Sequence, residues 1–147
     1  MKDLSATNFK ITKVVPSDDN KCILVGTDEG KIYMISQNNL HSFTEIKKNE
    51  LSPVTDMLTF VKKGKQRVAV THENGKINFF EVVNMNINYE FQIAGRHSQP
   101  VYFPQITNDL NYIIGITVNF QDVQAVIIDI ANKKVLLNEK QPLPLFS

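Results

Sequence analysis

The chain has 147 residues, 42% of them apolar and 21% charged; this excludes global disorder and leaves enough length for one domain with a real core. Sixteen basic residues against fifteen acidic ones give a formal charge of +1, so no overall field gathers nucleic acid or an anionic membrane surface. A lone cysteine, Cys22 within the apolar run CILVG, excludes an intrachain disulfide and is read as a buried structural thiol in an intracellular, cytoplasmic setting.

The N-terminal MKDLSATNFKITK lacks the apolar segment of a signal peptide, and no run approaches the ~18 apolar residues of a membrane span. Short runs of Val, Ile, Tyr, Phe and Thr follow, separated by Gly, Asn, Asp and Pro clusters. They hold no 3.6-residue apolar period and predict an all-β fold.

Three segments repeat one pattern. ITKVVPSDDNKCILVGTDEGKIYMIS spans residues 11–36, VTDMLTFVKKGKQRVAVTHENGKINFFEV spans 54–82, and VYFPQITNDLNYIIGITVNFQDVQAVIIDI spans 101–130. Each reads as an apolar strand, a polar turn, a strongly apolar strand, a second turn and a third strand. The first turns are SDDNK, KKGKQ and TNDLN; the second turns are DEG, ENG and NFQD. Asp28-Glu29-Gly30 predicts a three-residue turn with Gly30 left-handed, and Asn74-Gly75 predicts a type I′ turn.

A fourth strand follows each unit: HSFTEIKK (41–48), NYEFQIA (88–94) and KKVLLNEK (133–140). Gly30 to Gly75 is 75 − 30 = 45 residues, and Phe80 to the aligned Ile128 is 128 − 80 = 48, close to the ~40–45 of a four-stranded propeller blade. The expectation is a single β-propeller segment of three four-stranded antiparallel sheets, with blades at 11–48, 54–94 and 101–140 and a tail at 141–147. A β-sandwich of short strands is the competing all-β fold and requires the repeat to be accidental.

The stretch GRHSQPV, Gly95 to Val101, resembles the Gly-His linker that precedes the innermost strand of WD40 repeats, and ELSPVTDMLTF (50–60) resembles the same linker and strand without Gly-His. At the Trp-Asp signature position stand Ile35-Ser36, Phe80-Glu81 and Ile128-Asp129, of which Asp129 matches. The resemblance to WD40-repeat proteins covers about residues 9 to 140. It implies blades of a propeller, part of a larger ring, that serve protein binding. Propellers close with ~4–8 blades. Three blades therefore need a protein partner, a longer chain or a second copy to cover their open faces.

Candidate chemistry is sparse. His41, His72 and His97 are scattered, one cysteine cannot build a zinc cluster, and no phosphate-binding or nucleophile-elbow motif is present. The pairs Asp18-Asp19 and Asp28-Glu29 fall in turns, where solvated carboxylates are ordinary. No catalytic residue, metal or cofactor is expected, nor a nucleic-acid partner. The basic cluster Lys62, Lys63, Lys65 and Arg67 reads either as a solvated turn or as a contact for an acidic partner.

In a propeller the loops before first strands and those between second and third strands share one face. That face would gather Asp28, Glu29, Glu73, Asn74, Arg96, His97, Phe120 and Asp122 as candidate partner-binding residues. Phe120 at a turn tip would serve as an aromatic anchor; if the turn is displaced by one residue, it faces the core instead. The functional expectation is a non-catalytic interaction or scaffold module within a larger complex. Two alternatives stay open: a fragment of a propeller enzyme, and a trafficking or coat-complex subunit.

Overall fold

A computed structural model describes residues 9–46, 50–84, 86–94, 99–119 and 122–137. Twelve strands form three antiparallel sheets in simple meander order. The first sheet holds β1 (Ile11–Pro16), β2 (Cys22–Thr27), β3 (Ile32–Ser36) and β4 (Asn39–Glu45). The second holds β5 (Val54–Lys62), β6 (Lys65–His72), β7 (Lys76–Val83) and β8 (Asn86–Ala94). The third holds β9 (Tyr102–Ile106), β10 (Tyr112–Asn119), β11 (Asp122–Asp129) and β12 (Lys134–Leu137). The first strands of the sheets meet, β5 lying between β1 and β9. The chain thus forms three consecutive blades of a β-propeller.

The repeat extends to backbone detail. In each sheet the pairing of the first two strands slips at an equivalent place, between Ile11 and Lys13, between Val54 and Asp56, and between Ile114 and Ile116. The first turns of the outer two sheets are superposable in their hydrogen bonds. Ser17 Oγ donates to Asp19 Oδ1 at 2.7 Å and Lys21 N donates to the same oxygen at 3.0 Å. Thr107 Oγ1 and Asn111 N do the same to Asp109 at 2.6 and 3.0 Å. A hydroxyl followed two residues later by Asp closes the turn through local side-chain bonds, while Asn20 and Leu110 take the left-handed conformation at φ 60 and 62.

The predicted type I′ turn at Asn74-Gly75 is not what forms. Gly75 alone is left-handed there (φ 87), and its N–H bonds His72 O at 2.9 Å, so residues 73–75 make the same three-residue turn as 28–30. The Asn74 side chain explains the choice: it is pulled to the preceding linker, where its Nδ2 donates to Glu50 Oε1 at 3.1 Å. The two-residue turn with two left-handed residues lies instead at Lys63 (φ 54) and Gly64 (φ 74), between the paired Lys62 and Lys65.

Two cores fill the seams between sheets, because successive residues of a strand point to opposite faces. Phe80 belongs to the first seam, with Cys22, Leu24, Met34, Val54 and Val68. Its neighbour Phe79 belongs to the second, with Phe60, Ile77, Ile113, Val126 and Ile128. Cys22 is a buried free thiol. Gly30 lets the backbones of two blades touch: a Cβ there would stand 1.7 Å from Glu50 O.

Candidate functional site

On the linker-and-turn face, bonds join linker to turn in the first sheet and in the second. Lys10 N donates to Asp28 Oδ1 at 2.9 Å, and Asp28 N donates back to Lys10 O at 2.9 Å. In the second sheet Glu73 N donates to Pro53 O and Asn74 N to Ser52 Oγ, both at 2.9 Å. Asp28 and Asn74 are therefore engaged in fixing linkers, while Glu29 and Glu73 project as exposed carboxylates. Arg96, His97 and Phe120 lie outside the described residues; Asp122 pairs with Asn119 at the start of β11.

Behind Asn74 runs a buried polar chain of residues that no local motif announces. His72, 1% exposed, places Nδ1 at 2.8 Å from Ser52 O, an atom that can only accept, so the proton sits on Nδ1. Its Nε2 is then free to accept from Asn78 Nδ2 at 3.1 Å. Asn78 Oδ1 accepts from Gln92 Nε2, which also donates to Glu50 Oε2. Burial lowers the His72 pKa from 6.5. Burial raises that of Glu50, but the bonds from Asn74 and Gln92 and the charge of Lys76 outweigh it, leaving the carboxyl below 4.5. The network is a neutral-histidine clamp between strands β6, β7, β8 and the linker.

At the inner edge, Asp56 ties three blades together. Oδ1 faces Lys13 Nζ of the first sheet at 3.1 Å and accepts from Met57 N; Oδ2 accepts from Phe103 N of the third sheet at 3.2 Å. Phe103 itself stands 70% exposed at φ 52, an aromatic that periodicity alone did not single out.

The opposite face, where first-to-second and third-to-fourth strand turns lie, carries two equivalent clefts. Between the first and second sheets a cleft of roughly 400 Å³ is bordered by Asp19, Lys21, Gln66, Val82 and Asn84. Its charges balance, and Gln66 Nε2 closes its rim on Asp19 Oδ2 at 2.7 Å. Bonds from Ser17, from Lys21 N and from Gln66 hold the Asp19 carboxyl down at about 2.

Between the second and third sheets the matching cleft, roughly 270 Å³, has a floor of Phe60, Phe79 and Phe91. Phe91 stacks on Phe79 with centroids 4.5 Å apart. Its walls carry Lys62, Lys63, Arg67 and Lys133. Lys62 Nζ donates to Leu110 O at 3.1 Å, Arg67 pairs with Glu90, and Lys133 Nζ sits 4.8 Å over the Phe91 ring. Arg67 Nε is buried with no hydrogen-bond partner among the described residues. Lys65, the remaining member of the basic cluster, points away to Glu81 at 3.9 Å. The cleft thus brings together three of the four basic residues singled out in the sequence and adds Lys133, which lies in the turn between β11 and β12 as Asn84 lies in the turn between β7 and β8. Both take the left-handed conformation, at φ 48 and 56.

No protein-family model matches the chain, and no curated protein matches its sequence. Solved structures do match. The propeller domain of Cps50 (Swd1) from Myceliophteria thermophila superposes with a TM-score of 0.72 at 12% identity, over 97% of this chain and 48% of that one. The dihydro-heme d1 dehydrogenase NirN gives 0.69 at 14% identity over 91% and 28%, and the periplasmic gluconolactonase PpgL of Pseudomonas aeruginosa gives 0.66 at 12% over 92% and 42%. These likenesses establish the propeller fold. The chain spans about half or less of the length of each.

Proposed function

We propose that the chain is a WD-repeat-like propeller segment that acts without catalysis, as a protein-interaction module within a larger assembly. The observation that carries this reading is the outward face of the third sheet. Ile114 pairs with Ile127, Ile116 with Ala125 and Val118 with Val123, an apolar ladder in register. Ile114, Val118, Val123 and Leu136 remain 39–49% exposed on it. Contiguous apolar surface of this kind marks an interaction site. A partner chain or a second copy that stacks a further sheet there would bury it as the second sheet buries the other face.

The enzyme reading draws on Asp56, the carboxylate at the inner edge, and on neighbours named as a dehydrogenase and a gluconolactonase. Asp56 is engaged by Lys13, Met57 N and Phe103 N, which favours a structural use. The test is the solution mass of the full chain by light scattering. Self-association, or stable capture by a co-expressed partner, is expected; a cooperatively folded monomer of 16.7 kDa at every concentration contradicts the reading.

A further inference from the structure

We infer that the cleft between the second and third sheets is a docking site for an acidic peptide segment of a partner, with one apolar side chain seated on the phenyl floor and flanking carboxylates against the cationic walls. The inference gives a partner chemistry to the interaction reading and rests on it.

Size argues first. Drug-sized and cofactor ligands occupy pockets of ~300–1,000 Å³. At roughly 270 Å³ this cleft takes one side chain and its flanks. Charge argues next. Four cations surround it, and among the described residues Glu90 alone answers them from the second sheet, through Arg67. On the third sheet Asp109 is occupied within its own turn by Thr107 and Asn111, and Asp129 by Asn132. Lys63 and Lys133 are exposed at the rim with no carboxylate partner among the described residues. Both also sit at left-handed φ, a conformation that favours Gly or Asn, so lysine is held there against backbone preference.

Chemistry argues last. Phe91, half-buried over the buried Phe60 and Phe79 and surrounded by cations, suits an apolar group bearing nearby negative charge, because the ring takes the apolar part and arginine and lysine take the carboxylates. Lys133 over Phe91 forms a cation–π contact that leaves its ammonium at the rim. The equivalent cleft at the first seam has the same position in the repeat but a balanced Asp19 and Lys21 and, among the described residues, no aromatic side chain on its border. That makes it an internal control.

The probe is a fluorescein-labelled peptide with one Phe flanked on each side by two Glu residues, titrated into the full chain by fluorescence anisotropy. Saturable binding is expected, weakened at least tenfold by Lys133→Glu or Lys63→Glu and unchanged by Lys21→Glu at the control cleft. All three side chains are exposed, so the folds should survive; circular dichroism checks this. Replacing the peptide's Phe by Ala, or its Glu by Gln, should each cost tenfold or more. No saturable binding overturns the inference. So does equal binding of the Ala peptide with displacement by inorganic phosphate, which would define a bare anion site, and so does equal loss in Lys21→Glu. A chain that associates through the third sheet yet ignores the peptide would remove this inference alone; a monomer that binds the peptide would remove the assembly reading alone.

Discussion

The two seams of this molecule share a geometry and differ in chemistry. Each is an apolar core between consecutive blades that opens at one rim in a cleft between turns. The first cleft is neutral and bridged by Gln66 on Asp19; the second is cationic, floored by phenyl rings and bridged by Lys62 on Leu110 O. Repetition explains what recurs, since each blade must bury the same faces. What fails to recur, three phenyl rings and the cation of Lys133, is not required by the repeat. Function is to be sought there.

The largest expected effect tests whether the seams are energetically alike. Phe79 and Phe80 are adjacent, fully buried and aimed at different seams. Phe79→Ala and Phe80→Ala should each cost about 3–5 kcal/mol in urea unfolding. A loss confined to one of them would mean that one seam contributes little to the fold.

Glycines sharpen the comparison. Gly30 and Gly64 are both left-handed, but only Gly30 abuts the next blade's linker. Gly64→Ala should cost roughly 1–2 kcal/mol, the conformational penalty alone. Gly30→Ala should cost more, because its Cβ meets Glu50 O; equal Tm shifts would refute the inter-blade contact.

A smaller effect comes from pH. His72 has a depressed pKa when folded, so the unfolded chain takes the proton first as pH falls. Stability is full above about 6.5 and declines as pH drops from there toward the folded value. In His72→Gln that part of the slope should vanish between pH 7 and 5. The smallest effect belongs to Asp19. Its carboxyl, held at about 2, supports the fold above its ordinary 3.8 and ceases to as pH falls through 2. Because Asp19 is exposed, Asp19→Asn should shift acid unfolding only slightly.

The fold was legible because strands and turns are local. Ser17 to Asp19 and Thr107 to Asp109 write the same turn twice, and the alternation in β10 writes one buried and one open face. The linker ties were not legible, since Asn74 meets Glu50 and Ser52 only after folding brings a linker beside a turn. That pull also defeated the type I′ expectation. The cleft was half legible: Lys62, Lys63 and Arg67 cluster in sequence, but the rings come from three strands of the second sheet and Lys133 from a turn of the third.

The central claim is that this propeller segment works through the open face of its third sheet. Sedimentation equilibrium of Val118→Asp beside Leu51→Asp tests it most directly, since Leu51 is exposed in the linker between the first two sheets. Association weakened tenfold or more by Val118→Asp and untouched by Leu51→Asp is the predicted result. Equal association in both variants would contradict it.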